Sequence, residues 1–516
     1  MTEADLTPEL ITSRRWRDED VQTARLPIVD VPFVTVGGGL GSFAMTDVLR
    51  IAGIPSSAIR VLTTIDRPEQ TYQFLAENSQ ISSEERIRSD SSSTMGNIWG
   101  FPSYGLREAA AAEGLKAKLK PLANILVEPV AADFYTPLAG QIYESVAREV
   151  NRIGWNSMTV KGVVRMVRAR HGGGYFSVLT PPRGTPPPEG SGPTKRVVYR
   201  SSHVHISVGY PGVKFLPDLQ QYRQDNNDFS RVVNAYEPHD YVYEELLRRP
   251  STVMVRGSGI VACRILARLL ADREQHGAQT TILHLFRNYV EGPQGDSAKF
   301  RRAGGNGFAY QGFDFPKAAW GGQLKGQLAE LEGQERADLI DVMGGTNTPF
   351  RQEWEDLMDR GRHGGYYQQW IGQVSSVEPG PNQTITTTLV DPEQRSTQLG
   401  ANFIIDATGL ESDISEHRLL ADLLSHGGAA RNPHGRLDVE PTFEIRGTRN
   451  DPGRMYASGS ITLGGYYASV DSFLGLQYAA IAIADDLAAA GFGKRISIGR
   501  SIKEWTRWAR NRPIPA

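Results

Sequence analysis

Cysteine is almost absent from this chain: 516 residues contain one, Cys263. A single thiol forms no intrachain disulfide, so dithiol–disulfide redox chemistry is excluded. Cys263 lies in an apolar helical stretch, which predicts a packed core thiol. Long apolar runs are also missing. No segment approaches the ~20 apolar residues needed to cross a bilayer, and the most apolar candidate helix, near 478–490, is interrupted by Asp485 and Asp486. The first residues are polar, with Arg14, Arg15 and Arg17 among acids and no apolar signal core, so the expected location is cytoplasmic with no membrane partner. An excess of either charge is lacking too. The net charge of −2 gives no electrostatic footprint for nucleic acid. The ten His are scattered without the Cys or carboxylate spacing of a metal site. His203 and His205, at strand spacing, read as structural or surface residues.

Glycine is abundant, and two clusters have structured surroundings. Pro32, Phe33, Val34, Thr35 and Val36 read as a buried strand, and Phe43, Ala44, Val48, Leu49 and Ile51 recur at helical spacing. Between them lies GGGLGS, Gly37 to Ser42. Gly37 permits a tight turn, Gly39 lets a pyrophosphate approach the backbone, and a helix opening near Leu40 and Gly41 offers its free amides and positive dipole end. Ser42 replaces the usual third glycine. In such folds an acid about 20 positions beyond the glycines binds the ribose hydroxyls. Asp66 is the nearest candidate and stands late; Thr63 and Thr64 are the substitutes. The second cluster, GSGIVA, follows the β-branched run Val253, Met254, Val255. Here Gly257, Gly259 and Ala262 have the fingerprint spacing, and Ile260, Val261, Ile265, Leu266, Leu269 and Leu270 form one helical face. The next strand ends at Arg287 instead of an acid, which favours the 2′-phosphate of NADPH. One such turn implies a dehydrogenase; two imply a flavin fed by a nicotinamide.

Two later segments extend the pattern. The strand at 401–406 runs into Asp406, Ala407, Thr408 and Gly409, and another at 453–458 ends in Gly459 and Ser460. With these, the chain resembles the two-dinucleotide flavoproteins, the superfamily of thioredoxin reductase-like enzymes, flavin-containing monooxygenases and N-hydroxylating monooxygenases, over about residues 30 to 490. The resemblance implies that the turn at Thr408 and Gly409 crosses from the nicotinamide domain toward the flavin domain, with 205–212 as a degenerate first copy. It implies that the strand ending at Gly459 leads to the ribityl chain, where Ser460 stands in place of the usual Asp. It also implies that the helix opening at Leu474 and Gly475 points its N-terminus at the flavin pyrimidine. The segment 91–105 resembles the flavin-lining segment of N-hydroxylating enzymes, with Asn97, Trp99, Ser103 and Tyr104 as candidate active-site residues. A second loop, 304–317, is rich in glycine and aromatics and reads as a lid or a docking surface, with Asn306 or Lys317 as candidate substrate contacts.

The expected fold is α/β, with two Rossmann-like three-layer domains, the NADPH domain inserted in the FAD domain. Residues 1–27 are expected to form a polar extension, 28–215 and 381–490 the discontinuous FAD-binding domain, 245–380 the NADPH-binding domain, and 491–516 a docking tail carrying Trp505 and Trp508. A helix is expected near 140–153 and a strand pair at 159–168 and 196–208, joined through a Pro- and Gly-rich loop. With no dithiol, oxygen is the simplest acceptor for reduced flavin. The monooxygenase branch of the resemblance implies NADP⁺ held beside a flavin hydroperoxide that oxygenates a small-molecule substrate. Its Baeyer–Villiger fingerprint is missing, which leaves amine N-hydroxylation preferred. Three other readings stay open: a reductase serving a protein or quinone acceptor, a single-component flavin halogenase, and a non-catalytic flavin-binding sensor or scaffold.

Overall fold

A computed structural model describes residues 6–87, 109–110, 112–127, 137–186, 195–287, 323–343, 352–467 and 470–515. Two five-stranded parallel sheets organise the chain. The first has strand order 454–457, 203–206, 33–36, 59–63, 159–161. The second runs 232–234, 403–406, 251–256, 280–286, 367–371. Parallel sheets must be covered on both faces, and the central strands are accordingly apolar throughout.

In the second sheet the alternation along one strand assigns the two layers. Val253 and Val255 pack under the helices Ile260–His276 and Gln352–His363, while Met254 packs with Leu219, Leu389 and Ala401 on the other side. That other side is closed by an antiparallel sheet of Gln373–Pro379, Ile385–Val390 and Ser396–Ala401. The first sheet is built the same way. The helix Leu40–Ile51, buried at every residue, packs against Phe473–Ala489 on one face. A meander of Val163–Arg170, Tyr175–Thr180 and Val197–Ser201 covers the other.

Three boundaries differ from the sequence expectation. The second sheet takes strands from 232 to 406, wider than 245–380, because Val232–Asn234 is too short to signal itself and Phe403–Asp406 inserts beside Ser251–Arg256. The strand pair is four strands. Gly162 and Ser202 break each arm, so that 159–161 and 203–206 stay in the parallel sheet while 163–170 and 197–201 leave it for the meander. The first residues are also more than an extension. Leu10, Trp16, Val21 and Leu26 form a satellite core with Phe176, Val178 and Val198, and Arg15–Trp16 pairs with the end of the meander.

Cys263 is buried in its helix, the 140–153 helix spans Ala139–Ile153, and the terminal helix Ile498–Ala509 docks through Trp508, which is 2% exposed. Among the described residues no helix is long and apolar enough to cross a membrane, and no group of three or more His, Cys, Asp or Glu is placed to hold a metal.

The terminal helix is tied in by a buried ion cluster. Arg152, fully buried, donates to Glu149 at 2.7 and 2.8 Å and lies 3.6 Å from Glu504 and 4.0 Å from Asp47. One cation thereby joins three helices. Arg152→Met is expected to remove the cation shared by Glu149, Asp47 and Glu504, leaving Glu504 its contact with Arg507, and to cost roughly 3–5 kcal/mol, read as a large drop in Tm; an unchanged Tm would show the cluster to be dispensable.

Candidate functional site

The two glycine turns are built alike, bond for bond. Gly37 donates its N–H to Leu62 O and Gly257 to Leu285 O, both at 3.0 Å. Beside each, the chain crosses from a neighbouring strand: Ser207 N–H donates to Val36 O at 2.9 Å, and Ala407 N–H to Arg256 O at 2.8 Å. This crossing explains the glycines. A Cβ on Gly37 would sit 2.2 Å from Ser207 O, and one on Gly257 2.6 Å from Ala407 O, with φ of +103° and +128°. Gly39 and Gly259 then start the helices in matching conformations, φ −79° and −85°, with open space where a Cβ would point. The amides of each first helical turn have no intrahelical acceptor and face outward, as an anion cradle requires.

Each turn also rests on a buried histidine. Under the first, Ser42 Oγ lies 2.9 Å from Thr35 Oγ1, which lies 2.9 Å from His205 Nδ1. His205 Nε2 reaches Ser458 Oγ at 2.8 Å, and Ser458 reaches Ser207 Oγ at 3.4 Å. This row of hydroxyls and one imidazole crosses three strands below the cradle. It also accounts for Ser42, whose hydroxyl starts the row where a third glycine would leave a gap. Under the second turn, His284 Nε2 donates to Gly257 O at 2.7 Å while Nδ1 meets Tyr367 Oη at 2.9 Å. Burial pushes His205 down to about 3 and His284 to about 4, so both are neutral in the folded chain.

A cavity of about 1190 Å³ opens at the first turn. Gly37, Gly39, Leu40 and Gly41 line one end, Gly459 and Ser460 a side, and Ile260, Val261 and Gly409 bring in the second domain. Ser460 Oγ is buried with no hydrogen-bond partner among the described residues. An orphaned hydroxyl beside an amide cradle fits a ligand with phosphates at one end and hydroxyls further along. Tyr210 and Asp471 form the polar wall: Tyr210 Oη donates to Asp471 Oδ2 at 2.9 Å, and burial raises the Asp471 carboxyl and the Tyr210 phenol.

The remaining expected residues fall as follows. Asp66 lies outside the cavity lining, its side chain exposed and paired with Lys161 Nζ at 2.7 Å; Thr63 and Thr64 line the cavity in its place. Arg287 is exposed just past Phe286, at the register position that Thr64 holds after the first turn. Thr408 is exposed, and its hydroxyl donates to Asp406 Oδ1 at 2.6 Å. Asp406 also accepts from Leu216 N–H at 2.7 Å, which pins both interdomain crossovers together. Leu474 is buried and the Gly475 amide is taken by its cap, Ser472 Oγ, at 3.0 Å; Asp471 and Leu476 face the cavity instead. Asn97, Trp99, Ser103 and Tyr104, with Asn306 and Lys317, lie outside the described residues. Gly38, Ser207, Asp471 and Arg436 were not anticipated. Gly38 was legible in principle, since its Cβ would strike Thr63 Oγ1 at 1.8 Å, a clash visible only once the adjacent strand is placed.

No protein-family model matches the chain, and no curated protein matches it. Solved structures do. The FAD-bound cadaverine monooxygenase of desferrioxamine biosynthesis from Erwinia amylovora superposes with a TM-score of 0.62 at 12% identity, over 89% of this chain and 95% of that one. The L-lysine 6-monooxygenase of Pseudomonas syringae gives 0.61 at 14% identity, over 89% and 99%. The Kutzneria ornithine N-hydroxylase, solved with reduced FAD, NADP⁺ and L-ornithine, gives 0.60 at 12% identity, over 90% and 100%. The chain therefore has the fold of the two-domain FAD- and NADPH-binding flavoproteins.

The buried histidines set a pH dependence. A folded-state pKa below the ordinary 6.5 contributes stability that is full above 6.5 and is lost as pH falls toward the folded value. His203, His205 and His284, at about 4, 3 and 4, all lie in that direction. Each costs about 1.4 kcal/mol per unit below pH 6.5. Urea unfolding at pH 7, 6 and 5 is expected to show stability falling with acid, and His205→Gln to flatten that slope by about one histidine's share; an unchanged slope would place the titration elsewhere.

Proposed function

We propose that this chain is an FAD- and NADPH-dependent monooxygenase that N-hydroxylates a small primary amine in the cytoplasm. The observation that carries the reading is the pair of matched turns whose helices converge on one cavity, with the orphaned Ser460 hydroxyl in its wall. Gly37, Gly39, Leu40, Gly41 and Ser42 would hold the FAD pyrophosphate, Thr63 or Thr64 its ribose, and Ser460 the ribityl hydroxyls. Gly257, Gly259 and Ile260 would hold NADPH, with Arg287 on its 2′-phosphate. Leu474 and Gly475 would act through the dipole of their helix, and Thr408 and Gly409 by shaping the crossover. When bound, FAD would supply the redox chemistry: acceptance of a hydride from NADPH and, with dioxygen, delivery of one oxygen atom to the amine nitrogen while the other leaves as water.

The protein's part is positioning and the exclusion of water. Tyr210 commits its proton to Asp471, so this wall presents a closed polar pair to the cavity. Asn97, Trp99, Ser103 and Tyr104 are proposed to wall the reacting edge. Substrates of the structural neighbours, cadaverine, lysine and ornithine, share a terminal primary amine on an alkyl chain, and a substrate of that class is the reading's choice. The single cysteine supports oxygen as acceptor over the disulfide of a dithiol reductase.

Three measurements check this. With ornithine, lysine and cadaverine in turn, one amine is expected to give NADPH oxidation, oxygen uptake and hydroxylamine in equal amounts. Transfer of the electrons to a quinone, with none of the panel hydroxylated, would establish the reductase reading instead. Gly37→Ala is expected to purify colourless, whereas Gly257→Ala stays yellow and is reduced by NADPH at least 100-fold more slowly at equal concentration. Arg287→Glu is expected to raise KM for NADPH roughly tenfold or more while sparing NADH, the loss of one charge-assisted contact.

A further inference from the structure

A second cavity, of about 670 Å³, lies at the far end of the helix Leu40–Ile51 from the first glycine turn. Six cations line it, Arg50, Lys494, Arg495, Arg500, Lys503 and Arg507, against one carboxylate, Glu504. That carboxylate is already engaged, 3.2 Å from Arg507 and 3.6 Å from Arg152. Arg495 lies 3.6 Å from Asp485. The other four have no carboxylate partner among the described residues. Arg50 is 3% exposed, and its guanidinium donates to neutral backbone carbonyls: Ile54 O and Pro515 O at 2.7 Å and Ile153 O at 3.1 Å. Those bonds orient the charge without cancelling it, and burial lowers its pKa. The chain as a whole carries −2, so this density of positive charge is local.

The shape of the site supports a small ligand. Arg500, Lys503 and Arg507 share one face of the terminal helix, Arg50 comes from the helix Leu40–Ile51, and all line one concavity, whose volume falls within the usual range for small-molecule pockets of roughly 300–1,000 Å³. Gly53 admits the Arg500 guanidinium, whose Nη2 would lie 2.6 Å from a Cβ there. The helix Ile498–Ala509 begins at the cavity wall. Ser497 Oγ accepts from Arg500 N–H at 3.3 Å, and Gly499 in its first turn has open space beside it. A helix start adds a partial positive charge to the fixed ones. We infer that this cavity binds an oligophosphate anion, with the four cations that have no carboxylate partner among the described residues and a helix N-terminus supplying the contacts. A monoanion would leave most of that charge unmet. Ile51, Ile514 and Pro515 in the wall leave room for an organic substituent on the phosphates. The inference is independent of the proposed oxygenase chemistry.

The test is calorimetric titration of the full-length, flavin-loaded protein at about 0.15 M salt with sodium pyrophosphate, ATP and inorganic phosphate. Saturable one-site binding of pyrophosphate is expected, at least tenfold tighter than phosphate. Tighter ATP than pyrophosphate would identify a nucleoside polyphosphate as the ligand, and equal affinity the bare oligophosphate. Arg500→Glu with Lys503→Glu is expected to weaken binding at least tenfold, while Arg287→Glu leaves it unchanged. Binding lost in Arg287→Glu and kept in the double variant would assign it to the nicotinamide turn and overturn the inference, as would no saturable binding. Should the double variant fail to fold, acetylation of the wild-type protein read by mass spectrometry decides the matter. Pyrophosphate is expected to protect Lys494 and Lys503 at least fivefold over chloride at equal ionic strength; equal labelling overturns the site.

Discussion

The structure depends on one backbone constraint, met twice: a carbonyl of the crossing strand occupies the place where a side chain would begin. At Gly37 that carbonyl belongs to Ser207, and at Gly257 to Ala407. Parallel register brings Ile206 beside Val36 and Asp406 beside Arg256, so the crossing chain leaves its strand one residue later, against the turn. Any residue larger than glycine would push the strands apart and tilt the following helix. The cradle is therefore a property of three strands and a helix together.

The two units are joined by a short antiparallel contact of their crossovers. Val213 bridges Leu410, Glu411 N–H donates to Gly212 O at 2.9 Å, and Lys214 lies 3.2 Å from Glu411. Asp406 holds this contact from below by accepting from Leu216 on one crossover and Thr408 on the other. Its burial raises the carboxyl while these donors lower it, an opposition that favours keeping all of them in place. The cavity lies at this junction, so Gly409 and Ile260 from one domain can face Gly39 and Ser460 from the other.

Much of this was legible in the sequence because it depends on local pattern. Both turns, their helices and the Asp406 to Gly409 crossover carry the periodicity and glycine spacing that such elements require. What escaped reading depends on register. Asp66 was chosen by distance along the chain, yet the strand ends at Thr63 and the next residues turn outward, which gives Asp66 to Lys161. Ser207 and Asp471 have no local signature; their place follows from which strand lies beside which. Arg15–Trp16 and Val232–Asn234 were missed because two or three residues are too few to show alternation. Trp16 buries itself fully only because Phe176 and Val198 supply the partner surface.

The polar row beneath the first turn has a directional character. A neutral imidazole gives a proton at one nitrogen and takes one at the other, so the tautomer of His205 sets which side of the row receives its proton. Two settings have every hydroxyl give its proton along the row. In one, the Ser207 oxygen offers a lone pair toward its Gly41 side; in the other it receives a proton from Ser458 and is free to give its own. With His205 too buried to ionise, the row can reverse without gaining or losing charge, and the group nearest its open end decides which way it runs.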